Sequence, residues 1–155
     1  MIVFKKVMEN YDLWAKQLDS LLRGVDKEIS KLANASAFLF NSLEDVSWVG
    51  FYLLDKGYLY LGPFQGKVAC TVIPIGKGVC GTAVANKETI LVKNVHEFPG
   101  HIACDSESNS EIVIPIYKNK DLYMVLDIDS KSLNRFSELD KIGLEKITEV
   151  ISENL

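Results

Sequence analysis

EIVIPIYKNKDLYMVLDID, residues 111–129, decides the fold class. Alternate side chains of a β-strand point to opposite sides of its sheet. Residues 111–117 therefore set Ile112, Ile114 and Ile116 on one face and Glu111, Val113 and Pro115 on the other. Residues 121–129 set Met124, Leu126 and Ile128 on one face and Tyr123, Val125, Asp127 and Asp129 on the other. Upstream, SWVGFYLLD (47–55) repeats the pattern, with Val49, Phe51 and Leu53 opposite Trp48, Gly50 and Tyr52. Each segment has one wholly apolar face, which must be covered.

The cover lies at the two ends of the chain. Trp14, Leu18, Leu21, Leu22, Val25, Ile29, Leu32, Ala33, Ala37, Phe40 and Leu43 recur at helical spacing, and Gly24 followed by Asp26 divides them into two helices. From Ser137 the chain is helical again. Ser137 and Asp140 form a capping pair, and Leu139, Ile142, Ile147, Val150 and Ile151 give a buried side. Between them lie GYLYLG (57–62), VACTVIPI (68–75) and ILV (90–92) as further strands, with one short helix over 78–87. Terminal helices around mostly antiparallel strands make an α+β fold. With no repeat, linker or low-complexity tract, residues 1–155 read as a single domain.

Composition narrows the function classes. The chain is 48% hydrophobic and 25% charged, enough to bury a core. Its apolar runs are too short to span a bilayer. A net charge of -4, with acids and bases interleaved, argues against a nucleic-acid or anionic-membrane surface. Charged residues begin at Lys5, so no secretory leader is read and a cytoplasmic location is expected. Three cysteines, an odd number, do not suit a secreted disulfide framework.

If the three strands share a sheet, the second face gathers Trp48, Tyr52 and Tyr123 with Glu111, Asp127 and Asp129. Aromatic walls and an anionic end suit a ligand carrying a soft group and an ammonium. The plain alternative has the two aspartates ending a strand in solvent and the aromatics in the core. Among the thiols, Cys70 sits in a strand-like run and reads as structural. Cys80 opens the short helix, whose dipole would lower its pKa. Cys104 sits in a polar loop near His101, with Asp105 and Glu107 raising its pKa. The residues rank Cys80 and Cys104 as reactive without ordering them. Cys70, Cys80, His101 and Cys104 could make a zinc site, but paired knuckles are missing. A His101–Cys104 catalytic pair has poor geometry for two residues of one loop, and His96 reads as a surface residue. Residues 76–81 match G-x-G-x-x-G without the βαβ unit a dinucleotide needs. Their exposed N–H groups suit a small carboxylate at the opposite end of the pocket from the acids.

Residues 62–84 (GPFQGKVACTVIPIGKGVCGTAV) and 98–116 (FPGHIACDSESNSEIVIPI) resemble the free methionine-R-sulfoxide reductases, as do SWVGFYLL (47–54) and VLDIDS (125–130). The resemblance runs over essentially the whole chain. It implies a GAF-type domain: a central antiparallel sheet, helices on one face and a ligand pocket on the other. It implies Cys104 as the attacking thiol, Cys70 as the resolving thiol and Cys80 as a third redox cysteine. Trp48 and Tyr52 match the wall near the substrate methyl group, and Glu111, Asp127 and Asp129 the carboxylates that hold its amino group or assist protonation. The implied reaction reduces free methionine-(R)-sulfoxide, passes through a Cys104 sulfenic acid and a Cys70–Cys104 disulfide, and draws electrons from thioredoxin with no bound cofactor. A homodimer stays open. The competing expectation is a non-catalytic GAF sensor of small molecules, which ordinarily accompanies an output domain.

Overall fold

The computed structural model describes residues 1–155. The chain runs α1 (Ile2–Leu22), α2 (Glu28–Ser42), β1 (Trp48–Asp55), β2 (Tyr58–Gln65), β3 (Val72–Pro74), α3 (Gly78–Asn86), β4 (Ile90–Val92), β5 (Ser110–Lys118), β6 (Asp121–Ser130) and α4 (Glu138–Glu153). One sheet has the order β3-β2-β1-β6-β5-β4, and every neighbouring pair is antiparallel. The three strands with one apolar face, β1, β6 and β5, are its centre.

The predicted alternation divides the interior in two. On one side Val49, Phe51, Ile112, Ile114, Ile116, Leu126 and Ile128 pack with Leu18, Leu32, Leu39, Leu144, Ile147 and Ile151 of α1, α2 and α4. On the other, Trp48, Tyr52, Val113 and Val125 pack with Val79, Cys80, Ala83 and Val84 of α3. The helix side carries the larger core, because three helices cover it and only α3 covers the other. The chain turns between α1 and α2 at Gly24, whose φ is +78°. α4 starts with a complete capping box: Ser137 Oγ accepts from the Asp140 N–H, and the Asp140 carboxylate accepts from the Ser137 N–H at 2.9 Å. Tyr11 of α1 donates to the same carboxylate at 2.7 Å, which joins the two terminal helices.

Three expectations are corrected. Ile142 is 46% exposed, and Leu144 joins Ile147 and Ile151 on the buried side of α4 in its place. VACTVIPI is a strand only at Val72–Pro74, and residues 66–71 form a loop. Two side chains hold that loop off the ladder: Trp48 Nε1 donates to the Lys67 carbonyl and Tyr52 Oη to the Cys70 carbonyl. Tyr123 does not join the pocket face. The β5–β6 register shifts between Ile116 and Tyr117, so β6 carries an extra residue there and its alternation breaks. Tyr123 therefore lies on the helix side, where its hydroxyl donates to Glu28 of α2 at 2.6 Å.

Candidate active site

Strand register builds the floor of the site. Asp129 of β6 pairs with Trp48 of β1 on one side and Glu111 of β5 on the other. One row across the sheet thus reads Trp48, Asp129, Glu111. The next reads Gly50, Asp127, Val113, and the third Tyr52, Val125, Pro115. Two acids on β6 and one on β5 therefore converge, flanked by aromatics on β1. Gly50 offers no side chain to cover Asp127. The Trp48 ring stacks on Tyr52 at 5.9 Å and on Phe64 at 5.2 Å between centroids.

Trp48, Tyr52, Glu111, Asp127 and Asp129 line one pocket with Ile73, Lys77, Val79, Cys80, His101, Ile102, Cys104 and Ser108. Cys104 lies in the loop between β4 and β5, and Cys70 in the loop between β2 and β3. The two are joined as a disulfide, with Cα atoms 5.4 Å apart. Of the pair, Cys104 lines the pocket, so the disulfide is placed at it. Cys80 is free and buried. The bond between Cys70 and Cys104 leaves no Cys3His quartet for zinc in this form.

The electrostatics follow from depth. Glu111 and Asp127 are 7% and 6% exposed. Burial, then repulsion from Asp127, holds Glu111 and Asp129 well above the usual carboxylate range. Burial also raises Asp127, while its neighbours Glu111 and Cys80 offset part of the effect. The cluster thus retains protons that isolated carboxyls would lose. His101 approaches Glu111 at 4.0 Å. Burial lowers the His101 pKa and raises that of Glu111, so both shifts oppose charge and the contact is not a strong ion pair.

Cys80 departs from its expectation. The α3 N-terminus does not activate it. Burial first, and Asp127 and Glu111 next, push its thiol pKa well up. Cys80, in the first turn of α3, has its sulfur within 4.8 Å of carboxylate oxygens of Glu111 and Asp127. The first turn of α3, through Gly78, Val79 and Cys80, and the acids therefore line one pocket. An α-amino acid, whose charges sit on adjacent atoms of one carbon, demands that adjacency. Gly76 and Gly78 of the G-x-G-x-x-G stretch supply positive φ for the turn into α3, which is only nine residues long.

Two buried side-chain oxygens lack hydrogen-bond partners, Ser108 Oγ and Asp127 Oδ1. Both line this pocket. Buried polar groups without partners are uncommon, and here they mark where a polar ligand is received. Ser108 and Phe64 were not singled out from the sequence. Ser108 belongs to a serine-rich loop with no periodicity, and the Phe64 contact depends on the β1–β2 pairing.

The GAF domain family model matches residues 26–155. The free methionine-R-sulfoxide reductase of Escherichia coli (strain K12) is 48% identical over 132 residues, covering 85% of this chain and 80% of that protein. This chain belongs to the GAF-domain family of free methionine-R-sulfoxide reductases. Solved structures of the family superpose closely. The reduced form from Staphylococcus aureus matches with a TM-score of 0.91 at 51% identity, covering 94% of this chain and 95% of that one. The Neisseria meningitidis reductase in complex with its substrate matches with a TM-score of 0.89 at 40% identity, covering 93% and 87%. No helix of the chain is long and apolar enough to cross a membrane.

Proposed function

We propose that this chain reduces free methionine-(R)-sulfoxide to methionine, using Cys104 and Cys70 as its dithiol. The observation that carries this reading is the Cys70–Cys104 disulfide at a pocket floored by Glu111, Asp127 and Asp129. The substrate class follows the relatives' names and the chemistry of the floor.

The substrate ammonium sits among the acids. Its carboxylate takes the free N–H groups at the start of α3. A peptide-bound methionine sulfoxide has an amide nitrogen in place of the ammonium and a blocked carboxyl, so it meets neither group. The sulfur and its methyl lie against Trp48 and Tyr52.

A sulfoxide sulfur is a poor electrophile until its oxygen is protonated. Glu111 and Asp129, which retain protons, supply one by hydrogen bond or transfer. Cys104 sulfur attacks the substrate sulfur, the S–O bond breaks, and the oxygen passes to Cys104. Methionine leaves and Cys104 becomes a sulfenic acid: the substrate is reduced by two electrons and the thiol oxidised by two. Cys70 then displaces water to close the disulfide. An external dithiol of the thioredoxin class restores both thiols by exchange, so no bound cofactor is required. Cys80 lies close to the cluster with a raised pKa, which fits it poorly as the attacking thiolate.

The test is a thioredoxin-coupled assay following NADPH consumption with each epimer of free methionine sulfoxide. The R epimer should turn over and the S epimer should not, and Cys104→Ser should abolish the rate. Substantial turnover by Cys104→Ser would overturn the assignment of the attacking thiol. Activity on neither epimer would overturn the reading as a whole and favour a sensor.

A further inference from the structure

The mechanism leaves Cys80 unused, yet its surroundings are unusual for a spare thiol. Its Sγ and one carboxylate oxygen each from Glu111 and Asp127 lie within 4.8 Å of one another, and all three residues are buried. Asp127 Oδ1 has no hydrogen-bond partner, although Asp127 is only 6% exposed. All three residues line the pocket, so the cluster has an entry path.

We propose that this cluster is also a binding site for one borderline-soft divalent cation of the zinc class, ligated by Cys80 Sγ and the carboxylates of Glu111 and Asp127. The donor set suits that class. One sulfur selects against magnesium and calcium, which take oxygen ligands alone. Metal–sulfur and metal–oxygen distances of about 2.3 and 2.1 Å place tetrahedral ligand atoms about 3.6 Å apart. The observed atoms, within 4.8 Å of one another, need contract by about 1.2 Å at most, within reach of side-chain adjustment. Three protein ligands leave a fourth position for water. On binding, the Cys80 S–H bond is replaced by a sulfur–metal bond and the proton leaves to solvent. The cation occupies the place where, on the reading above, the substrate ammonium sits, so the two compete. Cation binding itself does not depend on that reading.

The disulfide form allows a clean test, because Cys80 is then the sole free thiol. Oxidised protein is titrated with cadmium alone while the ultraviolet thiolate–cadmium charge-transfer band and the heat of binding are followed. A single equivalent should develop the band. Cys80→Ser should lose it, and Asp127→Asn should weaken binding about 10-fold or more, as loss of metal-supporting groups does. Absence of band and heat in the unsubstituted protein would overturn the proposal without recourse to any variant. So would equal affinity in a folded Asp127→Asn. Methionine sulfoxide should raise the cadmium concentration needed for half-saturation. Stoichiometric cadmium binding by a protein inactive in the coupled assay would uphold the cation site and overturn the reductase reading alone.

Discussion

Reducing the Cys70–Cys104 bond removes a cross-link between residues 34 apart in sequence. In the chain-entropy description, closing a loop of that length removes about 12.6 cal/mol/K from the unfolded ensemble, or about 3.8 kcal/mol at 25 °C. For a chain of this size each kcal/mol moves Tm by about 2–4 °C. The oxidised protein should therefore melt about 8–15 °C above the reduced protein. Scanning calorimetry of air-oxidised and dithiol-reduced samples measures the difference. Cys80→Ser should preserve it, whereas Cys70→Ser and Cys104→Ser should abolish it. The same interval should appear when reduced protein is treated with methionine-(R)-sulfoxide and then desalted, since the covalent change outlasts the ligand. A gap below about 2 °C, or one that survives in Cys104→Ser, would refute the reasoning.

The acidic floor should cost stability in proportion to its ionisation. Glu111 and Asp129 have raised folded-state pKa values, chiefly through burial, so the folded state binds more protons than the unfolded one. Stability from these groups is then complete below about pH 4, the unfolded carboxyl range, and is lost as pH rises through their folded values. Glu111→Gln should be more stable than the unsubstituted protein near pH 7, by about 1–3 kcal/mol for relief of a buried polar group, and no more stable near pH 3. Urea melts at the two pH values check this, and a gain largest at low pH would contradict the sign. Asp127→Asn with Asp129→Asn should raise KM while the fold stays intact, and unchanged KM and kcat would remove these acids from the ligand. Gly143→Ala should destabilise, although alanine ordinarily favours a helix interior by about 1 kcal/mol. A Cβ there would stand 2.2 Å from the Tyr11 ring, which its bond to Asp140 holds in place. A higher Tm for Gly143→Ala would show that the α1–α4 contact yields freely.

Where local chemistry decided the outcome, the sequence was sufficient. Alternation placed Trp48, Tyr52, Glu111, Asp127 and Asp129 on one face because β1, β5 and β6 are regular where those residues sit. It failed for Tyr123 because a bulge adds one residue, and one residue reverses a strand's faces. The β-rich composition of residues 68–75 read as a continuous strand. The loop at 66–71 is instead held by Trp48 and Tyr52, nearly twenty residues away. Cys80 was misjudged for the same reason. A helix terminus is visible locally, but desolvation and the acids beside it come from β5 and β6. The pairing of Cys70 with Cys104 came from family resemblance, since no spacing rule joins residues 34 apart.

The most direct measurement is a single turnover without any external reductant. Fully reduced protein is mixed with one equivalent of free methionine-(R)-sulfoxide, then analysed by intact mass, peptide mapping and methionine release. One methionine per chain, a loss of about two mass units and a cross-linked peptide pair containing Cys70 and Cys104 are expected. Unchanged mass with no methionine, or a cross-link that omits Cys104, would contradict the account.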